Sequence, residues 1–255
     1  MVNTGPVTEL FRSADLLVRC RPGADTSRWI VTFDSFSDHI QFDNSPLDRP
    51  AFGEEFLIRR GYSIIAVLGR DNRWYQYPEI TQALQNIAAV TRDAQKVLAY
   101  GSSMGGYAAL RFADAVNAGI VLTFSPQYCV NPRAMPFERR WHGFCTSIDW
   151  LPEWNGKLTC RATPLVLYDS RLWQDVVQAA MIARDTPTRR IPLPYAGHPV
   201  TPFLHELRLL TDMIPALLED RFDVQAFQRA AHARRRESRN YQEQRSRFLR
   251  KLWPF

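Results

Sequence analysis

Short apolar runs alternate with helical patterns through most of the chain. The run from Tyr62 to Leu68 is continuously apolar and ends at Gly69, which is typical of a strand buried on both faces. Residues 78–92 instead show a helical pattern, with Pro78 in the first turn. Alternation of this kind predicts an α/β fold, in which a mostly parallel central sheet is flanked by helices.

The same patterns predict the remaining elements. Predicted strands cover 16–19, 29–33, 62–68, 96–100, 120–124, 164–168 and 188–195. Two prolines weaken the last of these strands and place it at an edge of the sheet. Predicted helices cover 51–60, 78–92, 104–117, 172–184 and 202–219.

Two segments break this rhythm. Residues 126–160 are rich in aromatic side chains and scattered Pro and Gly, and we interpret them as a small cap inserted over one end of the sheet. Residues 225–251 have the pattern of a polar, Arg-rich helix. The predicted organisation is therefore one catalytic domain over 1–224, which includes the insertion, and a basic helical tail over 225–255.

Composition excludes several classes of protein. An apolar fraction of 45% in 255 residues excludes a mostly disordered chain, and no apolar run is long enough for a spanning helix. The amino-terminal residues 1–21 lack the order of a secretory signal. The four cysteines contain no C-x-x-C pair, which favours isolated thiols in a reducing compartment over disulfides or a zinc site. We therefore expect a cytoplasmic protein.

The formal net charge of +6 is concentrated in one segment. Residues 229–251 hold nine Lys/Arg and two Asp/Glu, a net of +7, so the other residues sum to −1. Few aromatic side chains interleave with these cations, which argues against nucleic-acid binding. The segment is instead predicted to be a solvated helix, or to dock on an anionic membrane or a protein partner.

One motif carries chemistry. Residues 101–105 read Gly-Ser-Ser-Met-Gly, a G-x-S-x-G pattern that follows a predicted strand and opens a predicted helix. A serine on such a strained turn needs small neighbours two residues away on each side, because strand and helix approach closely there. The alternative, a glycine-rich connection without catalytic use, is less consistent with this strand–turn–helix context. The glycine spacing matches neither dinucleotide nor phosphate-binding loops.

Through this motif and its context the chain resembles the α/β-hydrolase superfamily over roughly residues 10–220. The resemblance implies Ser103 as nucleophile, followed along the chain by an acid and then a histidine. His198 lies in a loop between the last predicted strand and the last core helix, where such folds carry their base. Asp175 and Asp169 both follow strand 164–168; Asp175 is favoured, and Asp169 is the alternative that would brace the loop.

An acyl-transfer site also needs donors for the developing oxyanion. The backbone amide of Met104 is one candidate, and the amide of Asp34 or Ser35 on the loop after strand 29–33 is the other. His39 on the same loop is interpreted as a structural or substrate-rim residue.

Aromatic residues near the carboxyl ends of the strands are candidates for substrate binding. Trp74 and Tyr75 follow strand 62–68, and Trp141 lies in the insertion. Packing of the neighbouring elements is an equally good explanation for these side chains.

The predicted function is that of a serine-dependent acyl ester hydrolase that forms an acyl-enzyme on a small or short-chain ester. One alternative is an O-acyltransferase that moves an acyl group, such as acetyl, to a saccharide hydroxyl. Another is a non-catalytic binding protein on the same fold. We expect a small-molecule or saccharide ester as substrate, no cofactor and no metal; the sequence does not indicate an oligomeric state.

Overall fold

Eight strands form one sheet in the computed structural model, which describes residues 5–37 and 47–252. The strand order is β1-β2-β4-β3-β5-β6-β7-β8, and all strands from β3 onward run parallel. Strands β1 and β2 pair antiparallel with each other, and β2 pairs antiparallel with β4. Helices cover both faces, so the predicted α/β fold class is confirmed.

The elements have the following bounds. The strands are β1 Thr8–Arg12, β2 Leu16–Arg21, β3 Asp25–Phe33, β4 Tyr62–Gly69, β5 Lys96–Ser102, β6 Ile120–Phe124, β7 Leu165–Tyr168 and β8 Arg189–Pro192. The helices are α1 Glu54–Arg59, α2 Ile80–Thr91, α3 Met104–Arg111, α4 His142–Cys145, α5 Pro152–Asn155, α6 Trp173–Asp185, α7 Thr201–Glu206, α8 Met213–Leu218, α9 Val224–Arg234 and α10 Arg239–Leu252.

Two predicted helices differ clearly from the helices in the structure. Helix 104–117 ends at Arg111, and a 3₁₀ turn follows at 114–116. Helix 202–219 is divided into α7 and α8, because Arg208 adopts the left-handed conformation and the Leu209 amide closes the helix end on the carbonyl of Leu204 at 3.0 Å. The prediction of one continuous helix there is wrong.

The basic segment is likewise two helices. Ser238 interrupts the predicted helix 225–251, and its hydroxyl accepts the amide of Tyr241 at 3.0 Å, as an N-cap of α10 does. Strand β1 was not predicted. Its residues are mostly exposed and pair only with β2 at the sheet edge, so they carry a weak apolar signal.

Alternate side chains of each central strand enter different apolar layers, as the twofold strand period requires. In β5, Val97 and Ala99 pack with α2, α3 and α6 on one face, and Leu98 and Tyr100 pack with the helices on the other. Phe227 of α9 belongs to this second layer and is buried. Part of the basic segment therefore packs on the sheet layer; the division of the chain at residue 224 stays a prediction.

The insertion 126–160 is attached to α6 through Asp185 at that helix's carboxyl end. Its carboxylate accepts the hydroxyl of Tyr128 at 2.6 Å, the amide of Leu158 at 2.9 Å and Nε of Arg184 at 2.8 Å. Burial tends to raise the pKa of Asp185, but the three hydrogen bonds outweigh it and lower the pKa to about 2. Asp185 therefore anchors the insertion.

None of the helices within the described ranges is both long and apolar enough to cross a bilayer. The cytoplasmic location expected from the cysteines stays a prediction.

Candidate active site

Ser103 occupies the turn between β5 and α3. Its backbone has φ 51° and ψ −116°, a conformation that is strained for a residue with a side chain. Gly101 and Gly105 make the turn possible: a Cβ on Gly101 would lie 2.2 Å from the Gly105 carbonyl oxygen, and a Cβ on Gly105 would lie 2.3 Å from the carbonyl oxygen of Phe33. The predicted need for glycines at these positions thus has a direct steric cause.

The side chains of Ser103, His198 and Asp175 form a chain of two hydrogen-bonded contacts, with His198 in the middle. Ser103 Oγ is 2.9 Å from Nε2 of His198. The other ring nitrogen, Nδ1, is 3.0 and 3.1 Å from the two carboxylate oxygens of Asp175. With Nδ1 protonated towards the carboxylate, Nε2 is free to accept the serine proton.

Asp169, the alternative acid, lies beside the histidine loop and has other partners. Its carboxylate accepts the amides of Arg171, Tyr195 and Gly197 at 2.7, 3.0 and 2.8 Å. It therefore ties the loop that carries His198 to the end of β7. The structure brings Asp175, and not Asp169, to the imidazole.

Two basic groups stabilise the ionised form of Asp175. Burial tends to raise the pKa of this carboxylate, but the charge and hydrogen bond of His198, followed by those of Arg140, hold it below its usual value. The contact between Arg140 Nη1 and Asp175 Oδ1 is 2.6 Å long. In Asp169, burial raises the pKa although three backbone amides oppose it.

Arg140 reaches the site from the insertion and bridges two buried carboxylates. Beyond Asp175, it contacts Glu138 through two bonds, Nε to Oε1 at 2.8 Å and Nη2 to Oε2 at 2.6 Å. Its guanidinium also lies over the Trp141 ring, 4.5 Å from the centroid. The cluster holds two negative charges and one positive charge, and the insertion is thereby joined to the acid that faces His198.

Gln127 contacts the serine hydroxyl directly. Its Nε2 lies 2.9 Å from Ser103 Oγ, and its Oε1 accepts the indole N–H of Trp74 at 3.0 Å. The indole can only donate, so it fixes which end of the amide faces the serine. Ser103 Oγ therefore accepts a hydrogen bond from Gln127 and donates one to His198.

The three predicted oxyanion donors differ in their surroundings. Met104 is the first residue of α3, where backbone amides lack acceptors within the helix. The amide of Asp34 donates to the Val67 carbonyl oxygen at 3.2 Å, and the amide of Ser35 donates to the Asp34 carboxylate at 3.0 Å. Both loop amides would have to exchange these bonds to receive a substrate oxygen.

A cluster of aromatic side chains packs against one side of the imidazole. The Trp141 ring lies 5.2 Å from the His198 ring, and Trp74 packs on Trp141 at 5.7 Å. Phe36 contacts both indoles, at 5.9 and 6.5 Å. These rings form an aromatic wall beside His198, and Ser103 itself is 5% exposed.

Tyr75, the third predicted substrate-binding residue, is placed in the core. Its ring packs edge-on against Phe33 at 5.6 Å, and its hydroxyl donates to the carbonyl oxygens of Asp34 and Val67 at 2.9 and 3.2 Å. The side chain supports the loop after β3 from below. His39 lies outside the described residues.

The sequence patterns do not predict three of the residues at this site, Gln127, Glu138 and Arg140. They lie in an aromatic segment after β6, and its sequence pattern does not indicate which of its side chains return to the sheet. Within residues 5–37 and 47–252, no group of three His, Cys, Asp or Glu side chains is arranged as a metal site.

Comparison with known proteins places this geometry in context. A model of the alpha/beta hydrolase family matches residues 22–243. A search of curated proteins found no match.

Among solved structures, carboxyl esterase 2 from the fungus Tuber melanosporum is similar with TM-score 0.53 and 10% identity, over 90% of this chain and 86% of that one. Esterase 2 from Thermogutta terrifontis has TM-score 0.51 and 17% identity, over 76% and 84%. The capsule O-acetyltransferase of Neisseria meningitidis serogroup A has TM-score 0.50 and 14% identity, over 73% and 85%. At such identities the likeness concerns the fold.

Proposed function

Because this chain belongs to the alpha/beta hydrolase family, we propose that it is a serine-dependent acyl ester hydrolase acting on a small or short-chain ester. One observation carries the proposal. Ser103, His198 and Asp175 are connected by hydrogen bonds of 2.9 and 3.0 Å, at the carboxyl ends of parallel strands. This is the arrangement that turns a serine hydroxyl into a nucleophile at neutral pH.

The acylation step uses these three side chains. As Ser103 Oγ forms a bond to the ester carbon, its proton moves to Nε2 of His198, and the carbonyl π electrons move to oxygen. When the tetrahedral intermediate collapses, the bond to the leaving alcohol breaks, and Nε2 returns the proton to that oxygen. Asp175 orients the ring and stabilises the imidazolium. Water then attacks the acyl-enzyme by the same sequence of transfers.

The oxyanion needs two donors, and we assign them to the amide of Met104 and the side-chain amide of Gln127. The new oxyanion is bonded to the same carbon as Ser103 Oγ, so a donor 2.9 Å from Oγ lies within reach of it. The amide of Ser35 remains the alternative second donor, because its present acceptor is only the neighbouring carboxylate.

The aromatic wall supports a dry acyl site. Trp141, which Trp74 supports from the core, would contact the acyl group, and excluding water there strengthens each electrostatic interaction at the reacting carbon.

An O-acyltransferase that uses a saccharide hydroxyl is the second candidate. The observation that favours it is the low exposure of Ser103, because an acyl-enzyme screened from water survives long enough to meet another acceptor. The similarity to a capsule O-acetyltransferase is compatible with this alternative.

Covalent labelling tests the proposal. We expect a fluorophosphonate to label the wild-type chain at Ser103 and not the Ser103→Ala variant, with p-nitrophenyl acetate hydrolysed only by the former. Adding a saccharide acceptor distinguishes the two candidates: an acetylated saccharide formed faster than free acetate identifies a transferase. A folded wild type that neither labels nor hydrolyses would refute both and leave a binding protein.

A further inference from the structure

A pocket of about 670 Å³ opens directly beside His198, and Arg140 is also part of its lining. The loop after β7 and the first turn of α6 form one wall, from Arg171 to Gln174. Helix α10 forms the opposite wall, and Tyr195 lies between them. The histidine of the proposed catalytic centre is thus part of the pocket lining.

One face of α10 is turned towards this pocket. Gln244, Arg247, Phe248 and Lys251 all line it, and their spacing of three, four and seven residues places them on one side of a helix. Gln244 packs so closely on the histidine loop that a Cβ on Gly197 would lie 3.3 Å from its amide. The basic helix is therefore docked at the site, and its cations point into a concave surface.

The position of α10 is held by aromatic contacts with the same loop. Tyr195 packs edge-on against Tyr241 at 5.7 Å and against Phe248 at 5.4 Å. The guanidinium of Arg171 lies over the rings of Tyr195 and Phe248, at 5.5 and 5.9 Å. These contacts bring a cation from the loop after β7 next to those of α10.

The pocket carries an excess of uncompensated positive charge. Five cations line it, and one of them, Arg140, is paired with Glu138 and Asp175. Within residues 5–37 and 47–252, no carboxylate forms an ion pair with the other four, which are Arg171, Arg247, Arg250 and Lys251. The one carboxylate in the lining is Asp169, which is 2% exposed and already accepts three backbone amides. Four cations that converge without a counter-ion favour a ligand with more than one negative charge.

We infer that this pocket binds a phosphate or diphosphate group carried by the acyl donor or by the acyl acceptor. Arginine forks match phosphoryl oxygens in pairs, and the pocket wall includes the imidazole that would receive the serine proton. The inference rests on the proposed function, because it states that the donor or acceptor in that reaction is phosphorylated. A concave site beside the reacting residues fits a soluble ligand better than a flat membrane surface.

Binding is tested without activity. Calorimetric titration of sodium pyrophosphate into the Ser103→Ala chain at low ionic strength should give saturable one-to-one binding. Arg171→Gln and Arg247→Gln should each weaken it about tenfold, as expected for the loss of one charge-assisted contact. Arg245→Gln is the matched control, because Arg245 is exposed on the same helix and lies outside the pocket lining. Its affinity should match that of the parent.

Two outcomes overturn the inference: no binding at millimolar pyrophosphate, or equal weakening by Arg245→Gln and Arg247→Gln. Co-sedimentation with phosphatidylglycerol vesicles that requires Arg247, in a chain that does not bind pyrophosphate, would assign the cations to a membrane and also overturn it. Because the titration measures binding without turnover, its result can be interpreted even if the protein proves not to be a hydrolase.

Kinetics then locates the phosphate. These assays use a chain that keeps Ser103. If Arg247→Gln raises KM for a phosphorylated acetyl ester, but not for p-nitrophenyl acetate, the phosphate belongs to the acyl donor. An effect on transfer to a sugar phosphate, but not to the free sugar, places it on the acceptor. Either result supports the pocket, whereas equal effects on charged and neutral substrates contradict it.

Discussion

The side-chain amide of Gln127 provides the sharpest test of the proposed chemistry. Its Nε2 lies 2.9 Å from Ser103 Oγ, and Trp74 fixes its orientation. If the amide only positions the serine, Gln127→Leu removes a neutral hydrogen bond worth about 0.5–1.5 kcal/mol, a two- to twelvefold loss of kcat. If it also donates to the oxyanion, the loss is about 10²–10³, or about 2.7–4 kcal/mol. We expect the larger loss.

Steady-state hydrolysis of p-nitrophenyl acetate measures the effect, and urea unfolding checks the fold. Leaving the Trp74 indole without an acceptor should cost about 1–3 kcal/mol of stability, which is separate from kcat. Trp74→Phe is the comparison variant, because it leaves the Gln127 amide in place but unoriented, and we expect only a few-fold loss. A loss below about tenfold in folded Gln127→Leu protein would refute the assignment and return the second donor to the Ser35 loop.

Three further predictions follow from other side chains. Asp175→Asn should lower kcat about 10⁴-fold, whereas Asp169→Asn should act mainly on thermal stability; kinetics and melting of both variants check this, and a reversed pattern would exchange their roles. Asp185→Asn should destabilise the chain by up to about 2 kcal/mol at pH 7, because the pKa is lowered to about 2 only in the folded state. That contribution is complete above about pH 4 and is lost as the pH falls through 2, so urea midpoints of variant and wild type should converge in acid; a gap that persists at pH 2 contradicts the linkage. Burial raises the pKa of Cys20 to about 11 and of Cys145 to about 12, so neither native thiol should react with an aromatic disulfide reagent at pH 8; rapid labelling of either would contradict the burial.

The residues brought together around Ser103 differ in how far sequence could predict them. Ser103 and His198 follow from a motif and from positions at strand ends, which meet at one edge of a parallel sheet. The choice between Asp175 and Asp169 requires the structure, because the two carboxylates are six residues apart and only that of Asp175 faces the imidazole. Chain order restricts candidates but does not orient them.

The partners contributed by the insertion could not be predicted. Gln127 and Arg140 reach the site through the irregular path of 126–160, which has no periodicity from which to infer contacts. The position of Asp34 makes its amide a candidate donor, but only the folded sheet shows that this amide already donates to the carbonyl oxygen of Val67. In the C-terminal half, the left-handed backbone of Arg208 follows the end of α7, and the Ser238 hydroxyl caps the start of α10. An apolar pattern reveals neither feature.

Helix α6 has consequences for engineering this fold. Its first turn carries Asp175, which forms an ion pair with Arg140 of the insertion. Its last residue, Asp185, accepts two hydrogen bonds from the same insertion. A transplanted or shortened insertion would therefore withdraw a counter-charge from one end of α6 and an anchor from the other. Chimeras intended to change substrate range should therefore exchange residues 126–160 and α6 together.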